Sequence, residues 1–205
     1  MSLFPAFLKL NNRSVLVVGG GAIASSKIPS LLEAGAHVTV VSPKLVPQLM
    51  EWARNRKIDW LPKPFEGRDL NGKFLVVAAT SLAEVNASVF EEADKRHILC
   101  NAVDDIDHCH FYCGSIVQRG ELQIAISTNG KSPALSQRLR KELEQQFSPE
   151  YSAWVDWLGN AREVLRAQSA DPETTKIWLH LLASRPMFER FLRDTNDPAP
   201  PKGAS

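Results

Sequence analysis

The stretch Val15-Leu16-Val17-Val18-Gly19-Gly20-Gly21-Ala22-Ile23-Ala24 decides how the first half of this chain folds. Four apolar residues run into the pattern G-x-G-x-x-A, and an apolar-periodic segment follows. The order strand, tight turn, helix is the context that a dinucleotide-binding turn requires. Gly19 allows the sharp turn, Gly21 lets the backbone approach a pyrophosphate, and Ala24 lets the helix pack closely on the sheet. The alternative is that the glycines only tighten a strand–helix connection.

The start of the predicted helix also favours a dinucleotide-binding turn. The free N–H groups of Ala22 and Ile23 lie at the positive end of the helix dipole, so they are predicted to face the phosphates.

Composition limits the classes of protein that need to be considered. At 205 residues the chain can hold one ordinary domain and a smaller appendage. With 24 Lys and Arg against 23 Asp and Glu, nothing in the net charge favours nucleic acid or an anionic membrane. Three cysteines form no paired framework, which suits a reducing compartment. Because the N-terminus lacks a signal-like pattern and no apolar run reaches membrane length, we expect a soluble cytoplasmic protein.

The first half of the chain alternates predicted strands with predicted helices. The strands are predicted at residues 14–18, 37–42, 57–61, 74–79 and 97–103. The helices are predicted at residues 22–34, 44–56 and 83–96. This alternation predicts an α/β fold with a Rossmann-like, doubly wound parallel sheet.

The pattern changes after residue 104. Residues 111–117 and 122–127 are predicted to form a hairpin, and Ser132 and Pro133 are predicted to be the N-cap and first residue of a helix. Helices are expected onward to about residue 193, with Trp154, Trp157 and Trp178 in their core. The predicted division is a Rossmann domain at 1–113, a small α+β region at 114–148, a helical domain at 149–195 and a disordered tail at 196–205.

The end of the second predicted strand bears on the cofactor. Dinucleotide enzymes that prefer NAD usually have Asp or Glu there, whereas this chain has Ser42, Pro43 and Lys44. Lys44 could meet a 2′-phosphate or lie in solvent at a helix start, so these residues alone leave NAD and NADP open. Thr80 and Ser81 end the fourth strand, where they could line the nicotinamide side of the cleft or cap the next helix.

Several motifs together resemble the precorrin-2 dehydrogenase and sirohydrochlorin ferrochelatase family, which forms the N-terminal module of siroheme synthases. They are Phe4-Pro5-Ala6-Phe7-Leu8, the glycine turn with Lys27, residues 32–36, Val41-Ser42-Pro43, residues 78–81 with Asn86, residues 101–104 and residues 120–133. The resemblance covers residues 1–147 well. It implies NAD-dependent oxidation of precorrin-2 to sirohydrochlorin and, in bifunctional members, insertion of ferrous iron to give siroheme.

The same resemblance implies an oligomeric state and the absence of one enzymatic module. It implies a homodimer in which residues 114–148, the dimerisation region, are exchanged between subunits, with the active site in the cleft between them. The chain is too short for the methyltransferase module that is fused to some relatives. We therefore expect another protein to methylate uroporphyrinogen.

Asp104 is the predicted catalytic residue. Dehydrogenation removes a hydride and a proton, and metal insertion removes pyrrole N–H protons, so both steps need a base. Asp104 follows the fifth predicted strand, at the sheet edge where ligands bind in such folds, and the family's catalytic Asp maps onto it. A partly desolvated site would make it a stronger base. The alternative is a solvated turn that also contains Asp105 and Asp107.

A second group of residues is predicted to bind the substrate, whose class carries many carboxylates. Guanidinium groups bind carboxylates bidentately, so Arg119, Arg138 and Arg140 could add to the group unless they are ordinary surface charges. The predicted substrate-binding residues are Asn101, Ser127, Thr128, Asn129 and Lys131.

The segment His108-Cys109-His110-Phe111-Tyr112-Cys113 could ligate a transition metal, because it holds two imidazoles and two thiols. Its spacing matches no closed zinc motif, so packing is the preferred interpretation and no resident metal is predicted. Gly114 stands where the family usually has Pro, which leaves the geometry of this loop and the chelatase activity open.

Two other functions remain possible from the sequence. A monofunctional dehydrogenase would share every motif, since one Asp serves both reactions. A non-enzymatic NAD-binding regulator would keep the glycine turn and discard the base, which the presence of Asp104 and of residues 124–133 disfavours.

Overall fold

A computed structural model of the chain describes residues 3–168 and 171–196. The chain divides into two compact units, residues 1–113 and residues 114–205. Most of the predicted tail, residues 197–205, lies outside the described residues. Within the described ranges, no helix is both long and apolar enough to cross a membrane.

The first unit alternates strands and helices. Its strands are β1 (Ser14–Val18), β2 (His37–Val41), β3 (Asp59–Leu61), β4 (Leu75–Ala78) and β5 (Leu99–Ala102). Its helices are α1 (Ala22–Glu33), α2 (Pro47–Arg54) and α3 (Ala83–Asp94), and two short 3-10 helices span Gly67–Leu70 and Ile106–His108.

All five strands form one parallel sheet in the order β3-β2-β1-β4-β5. The chain first builds outward from β1 to β3 and then crosses back to place β4 on the other side of β1. This reversal confirms the predicted Rossmann-like sheet and puts a topological switch point between β1 and β4. Central strands are buried on both faces, which explains why β1 and β4 are continuous apolar runs with relative exposures of 3% or less at Val15–Val18 and Leu75–Ala78.

The core lies on both faces of this sheet, because side chains alternate along each strand. Val15 and Val17 pack with Ile28 of α1 on one face. Leu16 and Val76 pack with Val89 of α3 on the other. The strands thereby hold the turns at their carboxyl ends in fixed positions.

Helix α2 begins at Pro47, three residues after the predicted start. Residues 44–46 are instead held by one non-local and one local hydrogen bond: the Val46 N–H donates to Gly20 O at 2.8 Å, and Ser42 Oγ donates to Lys44 O at 2.8 Å. The predicted start was wrong because Pro47 disfavours helical backbone at Val46 and suits the first helical position, and the contact with Gly20 is not visible in local sequence.

The second unit consists of a hairpin and four helices. Its elements are β6 (Ser115–Arg119), β7 (Leu122–Ile126), α4 (Pro133–Gln146), α5 (Tyr151–Gln168), α6 (Pro172–Leu182) and α7 (Arg185–Asn196). The strands are antiparallel, and Gly120, with φ of +57°, lies in the turn between them. As predicted, Ser132 caps α4 by accepting the Leu135 N–H, and Pro133 is its first residue.

The aromatic core of this unit contains Trp154, which is 3% exposed and stacks on Trp157 with ring centroids 5.0 Å apart. Phe188 of α7 packs edge-on against Trp154. The prediction that Trp178 belongs to this core was wrong, because Trp178 is 50% exposed.

Candidate active site

A cavity of about 720 Å³ opens at the carboxyl ends of β1, β2 and β4, at the switch point of the sheet. Ligands bind at this position in open α/β sheets. All the residues predicted to bind the cofactor line this one cavity: Gly19, Gly21, Ala22, Ile23, Ser42, Pro43, Lys44, Thr80 and Ser81.

The three glycines of the β1–α1 turn differ in their surroundings. Gly19 has φ of +122°, and a Cβ there would lie 2.4 Å from Ala79 O of the turn after β4. A Cβ on Gly20 would lie 2.0 Å from Lys44 O of the turn after β2. A Cβ on Gly21 would meet nothing within 4 Å. Gly19 and Gly20 therefore join three turns together, whereas Gly21 faces open space in the cavity.

The N-terminus of α1 suits a diphosphate. The helix starts at Ala22, so its first N–H groups have no intrahelical acceptor. No side chain caps it, and its first turn holds no acidic residue that would repel an anion. The open side of Gly21 and these N–H groups together fit the pyrophosphate of a dinucleotide.

The β2–α2 turn forms the opposite wall. The indole N–H of Trp60 donates to Ser42 O at 2.9 Å, which fixes the backbone of this turn. Lys44 is the one charged residue among those that line the cavity. Among the described residues, this wall therefore presents one positively charged side chain and no carboxylate to the ribose of a bound dinucleotide.

Thr80 and Asn86 form a reciprocal hydrogen-bonded pair behind the cavity. The Asn86 Oδ1 accepts from the Thr80 N–H at 3.2 Å and from Thr80 Oγ1 at 2.8 Å, while Asn86 Nδ2 donates to Thr80 O at 3.1 Å. Asn86 is 6% exposed. The pair fixes the β4–α3 turn, and sequence reasoning missed its role. The available signal was an amide on the face of α3 that also carries Val89 and Ala93.

Asp104 lies just beyond β5 with φ of +62°, a left-handed conformation that Asp and Asn tolerate better than most residues. Its side chain is exposed, and within the described ranges its carboxylate has no hydrogen-bond or ion-pair partner. The single chain therefore leaves Asp104 in solvent, and the partial desolvation expected in a cleft between two subunits stays a prediction.

The segment after Asp104 is pinned to β5. Asn101 is 7% exposed and its Nδ2 donates to Phe111 O at 2.9 Å, while Cys109 Sγ donates to Ala102 O at 3.1 Å. The structure thus gives Asn101 a loop-holding role that the prediction of substrate binding did not foresee. The predicted strand from residue 111 begins only at Ser115, because Phe111 is held by this contact.

The two histidines of the same segment are occupied by structural contacts. His110 Nδ1 accepts the Cys100 N–H at 3.0 Å, so a neutral ring carries its proton on Nε2, which lies 3.1 Å from Asp94 Oδ1. His108 Nδ1 lies 2.7 Å from Asp105 Oδ2. Both rings pack on Phe90.

The thiols of this segment are poor candidates for metal ligands. Burial raises the pKa of both thiols of the segment, Cys109 and Cys113, and the pKa of the nearby Cys100 on β5 rises to about 12. Cys109 Sγ is also engaged with Ala102 O and Asp105 O at 3.1 Å each, so it has structural partners already. Among residues 3–168 and 171–196, no group of three or more His, Cys, Asp and Glu is placed to hold a metal ion.

The predicted substrate loop lies in the second unit, between β7 and α4. Thr128 Oγ1 accepts from the Ser132 N–H at 3.1 Å and from Ser136 Oγ at 3.3 Å, so it organises the loop from inside. Ser127 Oγ accepts the Asn129 N–H at 3.1 Å. The side chain of Lys131 is exposed.

The three arginines that were considered for carboxylate binding have partners within their own unit. Arg119 donates to Phe147 O and Glu144 O at 2.8 and 3.0 Å. Arg138 pairs with Glu142, and Arg140 pairs with Glu144. Gly114 packs closely on β7, since a Cβ there would lie 2.5 Å from Ile126 O.

Comparison with known proteins places this geometry in a family. Residues 6–115, more than half of the chain, match the family model described as "Putative NAD(P)-binding". Residues 119–146 match the model described as "Sirohaem biosynthesis protein central". The two matches fall on the cavity-bearing unit and on the hairpin with α4.

Individual proteins agree with these matches. The chain is 42% identical to siroheme synthase 3 of Aeromonas hydrophila over 94% of its own length and 42% of that protein. It is 38% identical to siroheme synthase of Acinetobacter baylyi, over 96% of its own length and 43% of that protein. The chain thus spans about two fifths of these curated relatives.

A solved structure, that of SirC, precorrin-2 dehydrogenase, is similar over 95% of this chain and 100% of that chain, with 27% identity and a TM-score of 0.77. Its similarity extends through both units, as do the matches to the siroheme synthases. The chain belongs to the family described as "Putative NAD(P)-binding", and over nearly its whole length it is similar to siroheme synthases and to SirC, precorrin-2 dehydrogenase.

Proposed function

We propose that this chain oxidises precorrin-2 to sirohydrochlorin with NAD as the hydride acceptor. The observation that carries the proposal is the similarity to SirC, precorrin-2 dehydrogenase, over all of that chain. The cavity at the switch point supports it independently, because an open Gly21 beside an uncapped, acid-free helix start fits a dinucleotide pyrophosphate.

Two groups of residues would bind different parts of the cofactor. Gly21 and the first N–H groups of α1 would hold the pyrophosphate, and Thr80 and Ser81 would border the nicotinamide. Bound NAD would supply a ring that accepts a hydride. The Thr80–Asn86 pair keeps the β4–α3 turn in place without help from solvent.

Asp104 acts as the base in this proposal. Oxidation of the substrate removes a hydride and a proton, and the exposed carboxylate is free to accept that proton. Its backbone is held in the left-handed conformation by the segment that Asn101 and Cys109 pin to β5. The backbone therefore fixes the point from which the exposed side chain projects.

A second reaction, insertion of ferrous iron into sirohydrochlorin, is proposed for the same residue. Two pyrrole N–H protons leave as the metal enters, and an exposed carboxylate can accept them and release them to water. The names of the siroheme synthase relatives favour this activity. Iron is a substrate here and needs no resident metal site.

We also propose a homodimer that uses residues 114–148 as its dimerisation region. A two-stranded sheet is marginal alone, and β6 and β7 leave Ile116 47% exposed on a face shared with Ala125. Helix α4 buries only Ser136 among its described residues, and Leu135 is 38% exposed. A second copy would cover these surfaces.

Two further predictions stay proposals. Ser127, Thr128, Asn129 and Lys131 would contact carboxylates of the tetrapyrrole, with Asn101 acting through the loop it holds. We place the protein in the cytoplasm, since its three cysteines are free thiols, as a reducing compartment would keep them.

An anaerobic absorbance assay tests both activities. Purified protein receives precorrin-2 and NAD, and ferrous iron is added after oxidation stops. NADH formed together with the sirohydrochlorin spectrum supports the dehydrogenase, and an enzyme-accelerated change to the siroheme spectrum supports the chelatase. Oxidation without accelerated iron insertion indicates a monofunctional dehydrogenase. If no NADH forms although NAD binds, the non-enzymatic NAD-binding regulator becomes the better interpretation.

A further inference from the structure

A groove of about 430 Å³ lies between α5 and α6 of the second unit, outside the site described above. Four basic side chains line it: Arg162, Arg166, Lys176 and His180. No Asp or Glu is among the described residues that line it. The other lining residues are Pro172, Thr175 and Leu179, which provide a mostly apolar floor.

The spacing of the basic residues brings like charges together, which lowers the stability of the protein when no ligand is bound. Arg162 and Arg166 are four residues apart on α5, and Lys176 and His180 are four residues apart on α6. Side chains at this spacing are neighbours on a helix surface, and like charges there destabilise the helix. Arg162 and Arg166 are such a pair, and Lys176 adds a third positive charge to the same groove.

The remaining helices of this unit use the opposite arrangement. On α4 and α7 each arginine at this spacing faces an acidic residue: Arg138–Glu142, Arg140–Glu144, Arg185–Glu189 and Arg190–Asp194. In the groove, by contrast, Arg162, Arg166 and His180 have no ion-pair or hydrogen-bond partner within the described ranges, and Lys176 has only Glu173 at 3.9 Å. The groove therefore holds uncompensated positive charge.

Helix dipoles explain only part of this charge. A cation in the last turn of a helix is stabilised by the carbonyl end, which applies to Arg166 on α5. Arg162 and Lys176 lie at least one turn before the ends of their helices and gain nothing comparable. An anion bound in the groove would compensate Arg162, Arg166 and Lys176.

We propose that this groove binds a small molecule that carries two or more oxyanion groups, either carboxylates or phosphates. Each arginine can bind such a group bidentately, and Arg162 and Arg166, four residues apart on α5, have Cβ atoms about 6 Å apart, which suits neighbouring oxyanions on one molecule. Thr175 donates its hydroxyl to Asp171 O and keeps the start of α6 in place beside the groove. The site is distinct from the cavity that the dinucleotide would occupy.

The test compares the chain with a double variant, Arg162→Gln with Lys176→Gln, in the presence of saturating NAD, so that the glycine turn is occupied. Citrate probes carboxylates and pyrophosphate probes phosphates, each by calorimetry and by the thermal midpoint at low ionic strength. The chain should bind one equivalent of at least one probe and gain about 3 °C at ten times its Kd. The double variant should lose affinity at least about tenfold. Without a probe its midpoint should equal or exceed that of the chain, because a repulsion is removed.

The control is Arg190→Gln on α7. This substitution removes an exposed arginine that forms an ion pair with Asp194. It should bind the probe as the chain does. The proposal is overturned if neither probe binds, if the double variant binds as well as the chain, or if the double variant melts lower without a probe. Binding of citrate alone or of pyrophosphate alone identifies which oxyanion the groove takes.

Discussion

A Cβ atom on Gly20 would lie 2.0 Å from the carbonyl oxygen of Lys44, so the turn after β1 is packed directly against the turn after β2. The Val46 N–H donates to Gly20 O at 2.8 Å across the same contact. Two walls of the cavity are therefore held by backbone atoms, and their separation does not depend on side-chain rotamers.

Gly20→Ala should destabilise the protein. A methyl group at 2.0 Å from a backbone oxygen forces the two turns apart, and overpacking of this kind costs about 1–3 kcal/mol. Urea denaturation followed by circular dichroism measures the free energy of unfolding. Unfolding at the same urea concentration as the unsubstituted chain would contradict the packing described here.

Gly21→Ala should leave the free energy of unfolding almost unchanged and weaken NAD binding. Nothing lies within 4 Å of a Cβ at Gly21, and its φ of −93° suits any residue, so stability should stay within about 0.5 kcal/mol. The methyl group would occupy the space where the pyrophosphate approaches, so the Kd for NAD should rise at least about tenfold, or 1.4 kcal/mol. Gly159→Ala is the matched control, since it also meets nothing within 4 Å but lies in α5. An NAD affinity that is unchanged in Gly21→Ala would exclude this turn as the pyrophosphate site.

The difference between these two glycines marks the limit of what the sequence could predict. The pattern G-x-G-x-x-A correctly identified the turn and the apolar runs correctly identified the strands, because both are local signals. The contact between Gly20 and Lys44 is non-local and has no signal in the sequence, whereas Pro47, the first residue of α2, was a local signal that the predicted start at residue 44 overlooked. The sequence left a desolvated site and a solvated turn open for Asp104, since a residue type does not determine how far a turn projects from the sheet; in the single chain its side chain is exposed.

Removal of the Asn86 side chain should weaken both the fold and NAD binding. Asn86→Ala leaves the Thr80 N–H and carbonyl without their partner, and because Thr80 is half-buried beside the cavity, where water can replace part of these bonds, the total cost should be about 1 kcal/mol. Because Thr80 lines the cavity, the Kd for NAD should rise as well.

A double-mutant cycle with Thr80→Val isolates the pair. Thr80→Val removes Oγ1, which donates to Asn86 Oδ1 at 2.8 Å, and keeps the shape of the side chain. The two effects on unfolding free energy should be coupled by about 0.5–3 kcal/mol. Strict additivity would mean that the hydrogen bonds contribute no coupling energy.

Asp104→Asn should abolish oxidation of precorrin-2 and leave the fold intact. Asn tolerates the left-handed conformation at φ of +62° as Asp does, so the turn is preserved while the base is lost. A general base contributes about 10²–10⁴-fold, so the turnover number should fall at least about 100-fold. The Kd for NAD should not change, because Asp104 does not line the cavity.

Asp107→Asn is the control for this experiment, because it changes an exposed Asp of the same segment. Its NADH production should equal that of the unsubstituted chain. Wild-type turnover in Asp104→Asn, or an equal loss in both variants, would remove Asp104 from the catalytic role.

Ile116→Asp should convert the proposed homodimer to a monomer. Ile116 lies on β6, opposite Ala125 of β7, and its 47% exposure in the single chain means that the charge does not disturb the fold of that chain. Buried in a dimer interface, the same carboxylate would be desolvated without a partner, which is strongly unfavourable. Light scattering after gel filtration should give twice the 22.8 kDa of one chain for the unsubstituted protein and 22.8 kDa for the variant.

The control is Ile177→Asp on α6, where the isoleucine is 66% exposed. This variant should remain dimeric, and it shows whether a charge at any exposed apolar residue of this unit would have the same effect. A dimer that survives Ile116→Asp would move the interface away from the hairpin.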